Sequence, residues 1–238
     1  MEILNPNLET LTRTARALEP LLPDLVFVGG TLTGILVSDP GASAVRATKD
    51  VDVIAQIAGH PGYLWANREM SRLGFSPDPT EGAPTCRWKK GELLVDLMGD
   101  AESDFGPTNP WYSEGFAGRE TYVLPASPQG PALSIYGLSA PVWLLTKWVA
   151  FQDRGKKDMV GSQDIEDILS VLDGRLELPI EISIASAKVR QGLAELATGL
   201  LSSEAFIGHC LPCLGEREEL VINLLRALVP GDGSSSAR

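Results

Sequence analysis

VFVGGTLTGILVSDPGASAVRATKDVDVI, residues Val26–Ile54, decides how the chain reads. An apolar run from Leu25 to Val28 ends on the pair Gly29-Gly30, a helix is predicted from Thr31 to Val37, and an Asp-Val-Asp then lies inside a second apolar strand. Between them Ser38 to Thr48, with Pro40, Gly41 and no periodicity, reads as an exposed loop. Side chains alternate between the faces of a strand, so Asp50 and Asp52 point one way while Val51 and Val53 point into a core. Two carboxylates on one face repel each other unless a cation sits with them.

Outward from that stretch, Leu8, Leu11, Ala15 and Leu18 repeat at helical spacing, and Pro20 and Pro23 close the helix. Downstream, Pro61 opens a helix that runs through Leu64, Met70 and Leu73 and stops at Gly74. Pro77, Pro79, Gly82 and Pro84 mark a loop, and Thr85–Trp88 and Leu93–Met98 form a hairpin across Lys89-Lys90-Gly91-Glu92. The second of these strands holds Asp96 among apolar residues, where a lone charge is costly. Asp96 is therefore either a third carboxylate of a site or the partner of a nearby arginine such as Arg87 across the hairpin.

Ser103 to Gly118 is rich in Gly, Pro and aromatic residues and is predicted to wrap the surface before a short strand, Thr121–Leu124. After a linker at Pro125–Pro131 the pattern turns helical, over Pro141–Gln152, Ser162–Leu172, roughly Ser183–Leu200 and Glu216–Leu228. The expected class is α/β (α+β), a small mixed sheet followed by a helical C-terminal domain. The expected divisions are a core at 1–130, a helical domain at 131–230 and a disordered tail at 231–238, GDGSSSAR.

Composition bounds the function. With 238 residues and 44% apolar content the chain buries a substantial core. A net charge of −11 argues against broad non-specific binding of nucleic acid, which depends on clustered Lys and Arg. Two local basic patches, Arg87/Lys89/Lys90 and Arg154/Lys156/Lys157, keep a nucleic-acid substrate open. No run has the ~18 apolar residues of a membrane span, and Glu2, Glu9, Arg13 and Arg16 stand where a signal peptide is apolar, so the expected compartment is the cytoplasm, with no membrane partner. Three cysteines fit a reducing compartment without disulfides.

The residue types of the opening stretch suit one kind of ligand. Magnesium is commonly held by one or two carboxylates together with substrate phosphates, which Asp50 and Asp52 match. Gly29 and Gly30 let a polyphosphate approach backbone N–H groups at the start of a helix, where negative charge is favoured. Asp96 on a neighbouring strand suits a second metal or the removal of a proton from an attacking hydroxyl.

A hydrophobic strand, Gly-Gly, a helix, Asp-Val-Asp and a later strand Asp resemble the nucleotidyltransferase superfamily of the DNA polymerase beta type, and within it the bacterial branch of AbiEii-type toxins. The residues that carry the likeness are Gly29, Gly30, Asp50 and Asp52, with Asp96 as the third acid. A second block, Lys147, Ala150, Arg154 and then Asp164-Ile165-Glu166-Asp167, resembles that branch's helical Lys, later Arg and acidic helix.

The resemblance implies an enzyme that moves a nucleoside monophosphate from an NTP to an acceptor hydroxyl of RNA or tRNA, a protein or a small molecule, with Mg2+ or Mn2+ as cofactor. It also implies a place in a toxin–antitoxin or abortive-infection system, with a cognate antitoxin as partner. The implied catalytic residues are Asp50, Asp52, Asp96, Lys147 and Asp164, and the implied metal ligands Asp50, Asp52 and Asp96. Gly29, Gly30, Thr31, Lys147 and Arg154 are the implied nucleotide contacts. Lys147 and Arg154, seven apart, share a helix face suited to a polyphosphate.

Two features depart from the family pattern. Nineteen residues separate Gly30 from Asp50, a longer interval than usual, and Gln163-Asp164 stands where the branch has Arg-Asp. The alternative function is a non-catalytic partner of the same fold. His209, Cys210 and Cys213 lack a fourth ligand for a zinc site and read as helical packing, as do Trp143 and Trp148.

Overall fold

The computed structural model describes residues 5–56, 59–100, 109–128, 130–155 and 158–229. Among these, seven strands build one mixed sheet: β1 (Leu25–Val28), β2 (Asp50–Ala55), β3 (Ser76–Pro77), β4 (Arg87–Lys90), β5 (Leu93–Gly99), β6 (Glu120–Leu124) and β7 (Leu133–Gly137). Their order is β3-β4-β5-β2-β1-β7-β6. The pairs β2–β5 and β1–β7 run parallel and the other neighbours antiparallel. Helices α1 (Leu8–Ala17), α2 (Gly29–Leu36), α3 (Gly59–Arg72) and α4 (Tyr112–Ala117) are interspersed with the strands. After β7 the described chain is helical, with α5 (Ala140–Ala150), α6 (Gln163–Gly174), α7 (Leu178–Ile184), α8 (Ala187–Leu201) and α9 (Glu218–Leu228). An α/β part followed by a helical part is the architecture expected from the sequence.

Period-two alternation sorts the sheet's side chains into two cores. Leu25 and Phe27 of β1, Val51 and Val53 of β2, and Val95 and Leu97 of β5 pack with Leu11 and Ala15 of α1, with Leu18 just after it, and with Met70 of α3. Val26 and Val28, Ile54 and Met98 face the other way, onto Trp143, Leu144, Ile165 and Ile168 of α5 and α6. Asp50 and Asp52 precede Ile54 by even steps, and Asp96 precedes Met98, so all three acids fall on the face toward the C-terminal helices. Register places Asp52 directly beside Asp96 in the parallel pair, and Asp96 beside Arg87 in the hairpin.

Several elements differ from the sequence expectation. Helix α2 begins at Gly29, not Thr31, so both glycines lie in its first turn. The hairpin turn is the pair Gly91-Glu92, because Gly91 takes a positive φ of 60° that closes a two-residue loop and lets β4 run on to Lys90. Strand β7, sandwiched between β1 and β6, was not foreseen: five residues between proline-rich segments carry too little periodicity. In the segment expected to wrap the surface, Tyr112–Ala117 forms α4, and residues 101–108 lie outside the described part. The tail at 231–238 lies outside it too. Among the described residues no helix is long and apolar enough to cross a membrane, and Cys86, Cys210 and Cys213 are free thiols.

Candidate active site

Two adjoining cavities open between the acidic face of the sheet and helices α5 and α6. The first, of about 540 Å³, is lined by Gly30, Arg46, Thr48, Asp50, Asp52 and Arg87 on the sheet side and by Lys147, Arg154 and Asp164 on the helical side, among others. The second, of about 390 Å³, shares Asp52, Asp96, Lys147, Arg154 and Asp164 and adds Gly29, Cys86, Met98, Tyr112 and Thr146. The two blocks that the sequence singled out thus face each other across one cleft.

Gly29 is where the strand-to-helix turn and the acids meet. Its φ is +68°, and a Cβ at this position would overlap the Asp52 carboxylate. The carbonyl of Gly29 accepts a hydrogen bond of 2.9 Å from Nε1 of the fully buried Trp143, which ties the glycine turn to α5. Trp143 is core, as its position in the sequence suggested, but its ring nitrogen also fixes the site. Gly30 lines the first cavity. Thr31 lines neither cavity: it is fully buried, and its hydroxyl has no hydrogen-bond partner among the described residues.

The three sheet acids differ in their partners. Asp96, 7% exposed, accepts two hydrogen bonds of 2.7 Å from Nε and Nη2 of Arg87, and Nη2 also reaches Asp50 Oδ2 at 2.5 Å. The hydrogen bonds to Asp96 and its charge, reinforced by Asp50, hold the Arg87 guanidinium well above its ordinary range. Asp50 also accepts a bond of 3.0 Å from the Thr48 hydroxyl. Among the described residues no cation is bonded to Asp52 in this way. Burial first, and then the charges of Asp50 and Asp96, push its carboxyl up to about 7, against the pull of Lys147 and Arg154. Cys86, on the floor of the second cavity, is pushed up to about 11 by burial and by Asp96.

On the facing helices, Ser162 caps α6 by accepting a bond from the Ile165 N–H, and Asp164 follows in the first turn. Lys147, whose side chain is 9% exposed, reaches Asp167 at 2.6 Å and Asp164 at 3.3 Å. The last turn of α5 widens into a π-helical turn, Phe151–Gly155. From there Arg154 reaches Asp164 with two bonds of 3.1 Å. Burial raises the Asp164 carboxyl, but the Arg154 bonds and the Lys147 charge outweigh it, and the net displacement is downward. Tyr112 donates its hydroxyl to the Met98 sulfur at 3.7 Å, and burial together with Asp52 pushes its phenol up.

Asp50, Asp52, Asp96, Lys147, Arg154, Asp164, Gly29 and Gly30 are therefore gathered in one cleft. Arg46, Thr48 and Tyr112 join them without having been singled out, and Asp167 lies buried behind the cleft, bonded to Lys147. Asp167 was visible as part of an acidic helix, whereas Arg46 and Thr48 lie in a segment without periodicity and carried no signal.

Among the described residues no group of three or more His, Cys, Asp or Glu side chains is arranged to hold a metal ion, and Arg87 is bonded to both Asp50 and Asp96. Asp50 and Asp52 fit one all the same. They offer hard oxygen donors, and a cation would offset the burial, first, and the repulsion from Asp50 and Asp96 that together raise Asp52.

No protein-family model matches the sequence, and no curated protein does. Among solved structures the fold is similar to that of an antigenic nucleotidyltransferase-like protein from Paracoccidioides brasiliensis, with a TM-score of 0.50 and 20% identity over 82% of this chain and 89% of that one. The antibiotic-resistance factor ANT(2'')-Ia also matches, with a TM-score of 0.46 and 13% identity over 82% of this chain and 93% of that one. The chain has a nucleotidyltransferase-like fold.

Proposed function

We propose that the cleft transfers a nucleoside monophosphate from an NTP to an acceptor hydroxyl and releases pyrophosphate. One observation carries this reading: Asp50, Asp52 and Asp96 share one face of the sheet beside the Gly29-Gly30 turn, with Lys147 and Arg154 opposite them in the same cavity. Asp50 and Asp52 would hold Mg2+ or Mn2+, which when bound supplies positive charge to the phosphates. The triphosphate lies in the first cavity. There the first turn of α2 at Gly30 favours an anion, and Lys147 and Arg154 bring positive charge to it.

The acceptor enters from the second cavity, beside Asp96. Its oxygen bonds to the α-phosphorus as the bond to the pyrophosphate oxygen breaks. Arg87 uses two of the roughly four lone-pair positions on the Asp96 carboxylate, leaving others to accept the acceptor's proton. Asp164 keeps Lys147 and Arg154 pointed across the cleft. Reactions of this class ask mainly for positioning and charge neutralisation, which these side chains supply.

Incubation with labelled NTPs, Mg2+ or Mn2+ and total RNA or protein extract tests the reading. Label transfer that disappears in Asp52→Ala supports it, and a chain that neither binds nor transfers nucleotide overturns it. The labelled fraction identifies the acceptor as RNA, protein or small molecule, and a toxin role rests on that result. A second reading takes its support from Arg87. A guanidinium already neutralising Asp50 and Asp96 suits a non-catalytic partner of the same fold, which binds nucleotide without transferring it.

A further inference from the structure

The long interval between the glycine pair and the acidic pair delivers a cation of its own into the cleft. Asn7, fully buried, grips this segment on both sides of Ala47: its Nδ2 donates to the Arg46 carbonyl at 2.9 Å, and its Oδ1 accepts from the Thr48 N–H at 2.8 Å. The backbone that carries Arg46 is therefore fixed from below by a side chain that precedes α1. The guanidinium lies over Gly30, where a Cβ would come within 3.3 Å of Arg46 Nη2 and 3.4 Å of Asp167 Oδ2.

The partners of Arg46 in this state are weak ones. Nη2 donates to Asp167 at 3.3 Å and Nη1 to the Ala47 carbonyl at 3.3 Å, long for bonds made by a charged donor. Nε is buried with no hydrogen-bond partner among the described residues, and a Glu166 carboxylate oxygen lies 3.9 Å from it. Asp167 does not depend on Arg46, because Lys147 reaches the same oxygen at 2.6 Å. A guanidinium with spare donors, set beside the first turn of α2 and lining the cavity that holds Asp50 and Asp52, is arranged to receive an anion.

We propose that Arg46 is a phosphate-binding residue of the cleft, which exchanges its bond to Asp167 for the outer phosphates of a nucleoside triphosphate while Lys147 continues to neutralise Asp167. This rests on the nucleotide-transfer reading given above. The planar fork of arginine matches two phosphate oxygens, and its place over Gly30 puts it at the phosphate end of the cleft. A merely structural Arg46 would tie the loop to α6 and be indifferent to the number of phosphates on a ligand.

The test is equilibrium binding of ATP, GTP, CTP and UTP, and of the matching di- and monophosphates, to the full chain with Mn2+, alongside thermal unfolding of each variant. Arg46→Met is expected to weaken triphosphate binding about 10- to 100-fold and to leave monophosphate binding within about twofold, with Arg46→Lys in between. A folded Arg46→Met that keeps the native preference for triphosphate over monophosphate overturns the proposal. Should Arg46→Met not fold, Arg46→Lys decides: a selective loss of triphosphate affinity supports the proposal and an unchanged preference overturns it. Failure of the unaltered chain to bind any nucleotide is a separate outcome, seen before any substitution, and it removes the nucleotide reading and this inference together.

Discussion

Asp52 and Asp96 stand directly opposite each other on two parallel strands, both facing the C-terminal helices, yet only Asp96 is bonded to an arginine. The pair is asymmetric: Arg87 neutralises one acid and leaves the other to carry the repulsion. Adjacent strands lie roughly 4.8 Å apart, so two ionised carboxylates at this register interact strongly wherever water is scarce.

That asymmetry sets a pH dependence. The Asp52 carboxyl is raised from 3.8 to about 7, so its contribution to folding is fully present below pH 3.8 and is lost as pH rises through 7. Without divalent cations, the melting temperature should fall between about pH 4 and 7 in the unaltered chain and level off above that. The fall should be visibly smaller in Asp52→Asn. Identical profiles for the two proteins would remove this account of Asp52.

Cation binding should displace the same proton. Titration of Mn2+ into the protein in two buffers of different ionisation enthalpy reports the number of protons released. Release is expected near pH 6, where Asp52 is mostly protonated, and little near pH 8.5, where it is already ionised. Release that does not change with pH would contradict the assignment.

Replacing Arg87 by Met leaves Asp96 and Asp50 without their shared cation. Loss of one partner from a mostly buried pair costs about 3–5 kcal/mol at full burial, and Arg87, with a side chain 19% exposed, should come near the lower end. Mn2+ should then stabilise Arg87→Met more than the unaltered chain, because the metal takes over the arginine's role. Chemical unfolding with and without Mn2+ measures both effects.

Gly29→Ala should be markedly worse than Gly82→Ala. Both positions have positive φ, +68° and +80°, for which a Cβ costs about 1–2 kcal/mol. At Gly82 the added methyl meets open space, whereas at Gly29 it collides with Asp52. The difference between the two unfolding free energies isolates the collision. Equal values would mean that Asp52 moves aside freely.

Trp143→Phe keeps an aromatic ring in the core and removes the bond to the Gly29 carbonyl. A cost of about 1–3 kcal/mol is expected from the missing bond and the stranded carbonyl. Any transfer activity should fall along with stability, since the glycine turn loses its tie to α5. Activity and unfolding measured on the same preparation check both.

Local pattern was enough to read much of this protein. Apolar alternation marked β1, β2 and β5 and put Asp50, Asp52 and Asp96 among them, because the two-residue period of a strand is written in the sequence itself. Lys147, Arg154 and Asp164 were legible through the resemblance of their block to a known family pattern, with Lys147 and Arg154 seven residues apart as two helical turns require. What local pattern does not contain is which segments meet.

Tertiary structure decided between the two readings of Asp96, by bonding Arg87 to it and to Asp50 as well, and it alone showed that Trp143 holds Gly29 and that Asn7 fixes an unpatterned loop so that Arg46 lies over Gly30. Each of these contacts joins residues distant in the chain or hinges on a register set by packing. Strand β7 has no legible pattern of its own, because five residues between prolines acquire their meaning only from β1 and β6 on either side. The sequence determined which groups are present and which face each takes. The fold determined which cations the acids have already taken, because partnership depends on distance through space and not on spacing along the chain.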